Sequence, residues 1–233
     1  TCRAGWRGYK RFMHMLHHIW LSAQCRKVRV ALSEKGITFS MTVEPVWERR
    51  ESFLAVNPAG EVPVLVQDGT PICGHTVITE FLEDSIAEPP LLPAAPGDRA
   101  EVRRLTDWFD RKFQEEVHDQ LVGEKVMKRF LRLGQPDSAA IRAGLSNLHQ
   151  HLEYITWLSD RRRWLGGDTF SIADIAAATQ LSCVDYLGDV PWSDYPEAKN
   201  WYARVKSRPS FRPLLSDLIP GLPPPAHYTD LDF

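Results

Sequence analysis

Residues 62–73 read Val62-Pro63-Val64-Leu65-Val66-Gln67-Asp68-Gly69-Thr70-Pro71-Ile72-Cys73. Residues 62–67 form an apolar strand pattern. Asp68-Gly69 supplies the two left-handed positions of a tight hairpin turn, and residues 71–73 return as the partner strand. A helix follows over 76–86. Towards the N-terminus, residues 38–43 alternate polar and apolar side chains as a strand does. Residues 23–35 place Val28, Ala31 and Leu32 at helical spacing and stop at Gly36. Residues 16–20 read as a short strand. Strand, helix, strand, hairpin and helix make a small α/β unit over 15–87.

Outward in the other direction the chain changes character. Residues 88–96 (EPPLLPAAP) are too rich in proline for a helix or a central strand and read as part of a linker over 88–97. Residues 98–218 show only helical periodicity, clearest over 101–120 and 139–159, so the second domain is all-helical. Within it, Ser171 and Asp174 have capping-box spacing, with Asp in place of the usual Glu, and Phe170 stands where it would staple Ile175. A helix so capped, followed by an apolar run, is expected at the centre of its domain. The final stretch, 219–233, is Pro-rich and then acidic and aromatic. It either straps across its own domain or projects as a tail.

The 233 residues contain 28 basic and 30 acidic side chains, for a net charge of -2, and 43% are hydrophobic. That balance does not suit a protein whose partner is a nucleic-acid backbone. No apolar run approaches the ~20 residues that cross a bilayer, so no membrane insertion is expected. Cys2, Cys25, Cys73 and Cys183 are scattered, which suits a reducing compartment better than a disulfide framework. Residues 1–14 are basic, do not open on Met and lack the apolar centre of a signal peptide. They read as sequence upstream of a start at Met13 or Met15, or as a short basic arm. His14, His17 and His18 cluster, but His149 and His151 are two apart and do not share a helix face, so no metal site is assigned. Arg161-Arg162-Arg163 reads as a solvated turn. Nucleotide-binding glycine loops and the GxSxG nucleophile elbow are missing from the sequence.

Four segments in order, 22–37 (SAQCRKVRVALSEKGI), 57–66 (NPAGEVPVLV), 76–84 (TVITEFLED) and 170–175 (FSIADI), resemble the glutathione transferase family over 16–218. The resemblance implies a thioredoxin-like α/β domain, an all-α C-terminal domain and a homodimer. It makes Val62-Pro63 the family's cis-proline, whose preceding residue pairs with the glutathione backbone. It also places Ser22 where serine-type members keep the hydroxyl that stabilises the glutathione thiolate at a helix N-terminus. A small residue that only starts the helix is the plainer reading of Ser22. Cys25 sits where thioredoxins keep their second cysteine. With Ser22 in the first position no dithiol cycle is available, and a small buried thiol is preferred over one activated by Arg26 and Lys27.

The departure lies at the glutamyl end of the implied site. The family pattern there is an acidic residue followed by a hydroxyl residue, as in Glu-Ser-Ser-Ala-Ile; this chain has Gly74-His75-Thr76-Val77-Ile78. Glutathione would lose a counter-charge and a hydroxyl donor, each a charge-assisted bond of about 1.5–3 kcal/mol. Ser22, Val62, Pro63, His75 and Thr76 therefore mark a vestigial glutathione site, no cofactor is expected, and catalysis is in doubt. With the unusual tail, the degenerate site resembles those transferase-like proteins of bacterial division that bind FtsZ polymer. That resemblance implies a non-enzymatic dimeric adaptor in the cytoplasm, at the division site, which bends filaments. Tyr228, Asp230, Leu231, Asp232 and Phe233 are its candidate partner-binding residues. The alternatives are a transferase or isomerase using Ser22, and a regulator on the same fold with another protein partner.

Overall fold

The computed structural model describes residues 13–231; residues 1–12, read above as upstream sequence, and Asp232 and Phe233 lie outside the described residues. Four strands, β1 (His14–His18), β2 (Ser40–Val43), β3 (Val64–Gln67) and β4 (Thr70–Cys73), form one sheet in the order β2-β1-β3-β4. β1 runs parallel to β2 and antiparallel to β3, and β3 pairs antiparallel with β4. The hairpin turn is the expected one. Asp68 and Gly69 have φ of 49° and 85°, and Gln67 faces Thr70 across it.

Some boundaries differ from the sequence pattern. β1 begins at His14, inside the stretch read as upstream, because it is paired as far as Gln67. β3 starts only at Val64. Val62-Pro63 is a cis peptide outside the ladder, and proline has no N–H to give one. Helices α1 (Ala23–Glu34), α2 (Glu51–Leu54) and α3 (His75–Ser85) complete this domain.

The linker is fastened rather than free. Leu91 and Leu92 are buried, and their N–H groups donate to the two carboxylate oxygens of Glu83 at 2.9 and 3.2 Å. Lys35 donates to the carbonyls of Ile86 and Pro89, both at 2.8 Å. These bonds satisfy backbone that a Pro-rich segment cannot satisfy by itself.

The second domain is helical. α4 (Pro96–Asp107) continues as a π-type helix over Trp108–Met127 and ends in α5 (Lys128–Leu131), so the helix expected over 101–120 is one long rod. α6 (Ser138–Ser159) and α7 (Ile172–Asp185) pack against it, and α8 (Pro196–Lys206) packs on α6 and α7. Every residue of α7 is buried, as expected of the central helix. Its capping box forms: Ser171 N–H donates to Asp174 Oδ2 at 3.0 Å, while Asp174 Oδ1 accepts from Leu165 N–H and Trp201 Nε1 at 2.8 and 2.9 Å. Phe170 meets Trp164 edge-on and carries the Arg208 guanidinium 3.9 Å above its ring.

His149 and His151 face apart, as helical geometry requires. His151 is buried between Trp108 Nε1 and Glu116, while His149 meets the Tyr195 hydroxyl at 2.8 Å. Of the arginine run, Arg161 lies over Trp157 and Arg162 donates to Glu101, so the turn is partly engaged rather than merely solvated.

The chain end resolves into a strap over the described residues. Tyr186 OH donates to Leu222 C=O and accepts from Ile219 N–H, both at 2.8 Å, and Ala226–Tyr228 forms one tight turn.

Candidate functional site

The site implied by the resemblance lies at the N-terminus of α1, against the cis-proline loop and the start of α3. Leu21 precedes it with φ of 55°, a left-handed conformation that its burial holds in place. Ser22 is the N-cap of α1. Its Oγ accepts from Cys25 N–H at 3.2 Å and donates to Gln24 Oε1 at 3.1 Å. Both hydroxyl functions are therefore engaged within the helix start, the arrangement of a cap. Gln24 in turn donates to Gln114 at 2.9 Å, and Gln114 accepts from Gln180 at 3.0 Å, which ties this corner to the helical domain. Cys25 is fully buried and burial pushes its thiol up to about 11, so the plain reading of a buried thiol holds and no activated nucleophile is present there.

Gly74 N–H donates to Pro63 C=O at 3.0 Å, which brings Val62-Pro63 against His75 and Thr76. Gly74 itself has φ of 90° and ψ of 138°. Glycine adopts this conformation freely, whereas a side-chain-bearing acid would be strained.

The polar cluster at the start of α3 was invisible in the sequence. Lys27, from α1, forms an ion pair with Asp110 of the long rod, with side-chain exposures of 1% and 13%. His75 completes the cluster, its Nδ1 3.5 Å from Lys27 Nζ and 3.6 Å from Asp110 Oδ2. Burial and the neighbouring Lys27 charge lower the pKa of His75, against an opposing pull from Asp110, which favours the uncharged ring beside the Lys27 ammonium. The Asp110 carboxylate beside the start of α3 is thus already paired with an internal ammonium. Asp110 lies 83 residues from Lys27, and no local spacing announces such a pair.

The predicted partner patch is only partly a surface. Tyr228 is fully buried, meets Tyr186 edge-on at 5.1 Å, and its OH donates to Leu214 C=O at 3.3 Å. Its assignment as a contact residue is corrected: it is an anchor of the strap, because a phenol so enclosed stabilises the fold instead of meeting a partner. Leu231 is half-buried in a groove of about 430 Å³ with Arg163, Trp164 and Arg204. Asp230 is exposed. Asp232 and Phe233 fall beyond the described residues.

Among the described residues no group of three or more His, Cys, Asp or Glu is placed to hold a metal ion, and no helix is long and apolar enough to cross a membrane.

An α/β domain with a four-stranded mixed sheet and a cis-proline loop, joined to a helical domain with a central capped helix, defines a known class. The family model "Glutathione S-transferase, N-terminal domain" matches residues 21–85, and "Glutathione S-transferase, C-terminal domain" matches 136–209. The chain belongs to the glutathione transferase family. Within it, the chain is 50% identical over 222 residues to FtsZ-localized protein A of Caulobacter vibrioides, covering 94% of this chain and 97% of that one. The solved structure of FzlA from C. crescentus superposes with a TM-score of 0.92 at 49% identity, covering 95% of this chain and all of that one. A structure described as a glutathione S-transferase from Rhodospirillum rubrum F11 superposes with a TM-score of 0.93 at 58% identity and the same coverage.

Proposed function

We propose that this protein is a non-enzymatic adaptor on a transferase frame that binds FtsZ filaments at the bacterial division site, in the cytoplasm. In this reading it acts as a two-fold homodimer, so that each filament contact is presented twice. Two weak contacts on a polymer reinforce each other through effective concentration. Held at a fixed angle, they favour curved filaments over straight ones, since a ligand shifts a conformational equilibrium by its differential affinity for the two forms.

The observation that carries the reading is the match to FtsZ-localized protein A, half of all residues identical along almost the whole of both chains. The internally neutralised Lys27–Asp110 pair supports the absence of a cofactor role for glutathione. Asp230 is the contact residue assigned to the filament.

Co-sedimentation with FtsZ assembled in GTP tests it. The protein should pellet and saturate, and Asp230→Lys should remain in the supernatant while melting at the wild-type temperature. A wild-type protein that stays in the supernatant at low salt overturns the adaptor reading. The enzyme reading makes the opposite demand: measurable glutathione binding, and turnover that falls in Ser22→Ala.

A further inference from the structure

The end of α5 and the short turn Val46–Glu48 of the α/β domain meet at one exposed corner. Trp47 stacks on Phe130 there, with ring centroids 6.1 Å apart and planes at 17°. The stack hides neither ring: Trp47 is 38% exposed and Phe130 40%, and Leu133, three residues on, is 64% exposed. Exposed apolar groups gathered at one place mark an interaction surface.

Two arginines close the two turns, and both stand in left-handed backbone. Arg49 follows the turn that carries Trp47, with φ of 47°, and Arg132 follows α5, with φ of 55°. Arg132 N–H donates to Arg129 C=O at 3.4 Å and Leu133 N–H to Lys128 C=O at 3.0 Å, a helix ending whose left-handed position is usually glycine. Glycine would close both turns with less strain, so the fold does not account for a guanidinium at either place. Arg49, Arg129 and Arg132 are exposed, and their guanidinium groups have no acceptor among the described residues.

The acids on the helical side are already engaged. Glu124 pairs with Lys128 at 2.6 Å, Asp189 takes Lys125 at 2.6 Å, and Asp137 caps α6. Glu48 and Glu51 are exposed on the α/β side, so the unpaired positive charge gathers at the α5 tip, on Arg129 and Arg132. Residues 132–139 are exposed without a break, which makes this corner convex. A convex tip suits a flat surface better than a peptide that must be enclosed. Apolar tips among free guanidinium groups complement a layer of anionic headgroups over hydrocarbon.

We propose that this corner is a peripheral docking site for an anionic lipid surface. Phe130 and Leu133 enter the headgroup layer, Arg129 and Arg132 take lipid phosphates, and nothing spans the bilayer. The proposal does not rest on the filament-binding reading, because its ligand, its residues and its readout are separate.

Flotation of the full chain with vesicles tests it. Vesicles of equal parts phosphatidylglycerol and phosphatidylcholine are compared with vesicles of phosphatidylcholine alone. Binding should be about tenfold stronger to the anionic vesicles at low salt and should fall as salt is added. The double variant Arg129→Glu, Arg132→Glu should lose about tenfold of that binding, with melting near wild type. Arg132→Gly relieves the left-handed strain while removing the charge. It should melt slightly higher than wild type yet bind anionic vesicles a few-fold more weakly, a combination that a structural role would not give.

The absence of flotation, equal flotation with neutral vesicles, or wild-type flotation of the double variant overturns the proposal. Loss of FtsZ co-sedimentation by the double variant, with flotation unchanged, would assign the corner to the filament instead. Sedimentation velocity without lipid checks for a second copy: if Phe130→Ser with Leu133→Ser yields a smaller species, the corner joins two copies of this chain and the lipid site falls.

Discussion

Arg29 donates to both carboxylate oxygens of Asp217, at 2.6 and 2.9 Å, across 188 positions of chain. Both side chains are 5% exposed, and the guanidinium of Arg26 stands 3.6 Å from the same carboxylate. A single buried acid at the foot of the strap therefore joins the first helix of the α/β domain to the end of the helical one. Such a pair adds little over a well-packed apolar one, but removing one partner strands the other. Asp217→Ala should cost about 3–5 kcal/mol, read as a lowered midpoint in denaturant melts. A loss under about 1 kcal/mol would show that the pair is dispensable.

Gly74 stands where the family keeps an acid, at φ of 90° with nothing within 4 Å of an added Cβ. Space is no obstacle there, so the cost of a side chain is purely conformational. Gly74→Ala should destabilise by about 1–3 kcal/mol. Gly74→Glu, which restores the family's carboxylate, should pay the same backbone penalty and gain no glutathione affinity detectable by titration calorimetry, since the Lys27–Asp110 ion pair beside the start of α3 stays in place.

Gly144 lies on α6 where it crosses the long rod. An added Cβ would sit 2.7 Å from Gln120 Cβ and 3.0 Å from Leu121 Cγ. Helix propensity favours alanine over glycine by about 1 kcal/mol, whereas forced overpacking costs about 1–3 kcal/mol. The clash should win, and Gly144→Ala should lower the melting temperature. A rise would mean that the two helices separate at little cost.

Acid should weaken the fold through two buried histidines. Burial lowers the pKa of His18 and of His118 to about 4, with nearby Arg29 and Arg26 respectively adding to the effect. Each binds its proton more weakly folded than unfolded. Stability from these groups is therefore fully present above pH 6.5 and is lost as pH falls towards 4. Between those values the unfolded state carries the extra proton, so His118 contributes a slope of up to about 1.4 kcal/mol per pH unit. Denaturant melts of His118→Gln across this window should show the slope reduced by one proton; an unchanged slope would refute the assignment.

Much of the frame was legible locally. Asp68-Gly69 encodes a turn because both positions must be left-handed, and the 171–174 box caps a helix within four residues. Both signals concern neighbours in sequence, where spacing translates directly into geometry. The departure at Gly74-His75 was legible for the same reason, since it replaces one residue type by another at a known place in a motif.

What fills that place was not legible. Arg26, Lys27 and Arg29 are charged residues of α1, yet all three are buried. Their partners Ser182, Asp110 and Asp217 arrive from 156, 83 and 188 residues away. No local period records such pairings. The tail shows the same division. Its composition allowed a strap or a projection, and the apolar pocket around Tyr186 and Leu214 drew Tyr228 inside while leaving Asp230 in water. The sequence by itself determined the elements, the turn, the cap and the lost acidic ligand, because these depend on adjacent residues. The tertiary structure alone decided which charges neutralise one another and which tail residues remain at the surface, because desolvation and ion pairing act only between groups that folding brings together.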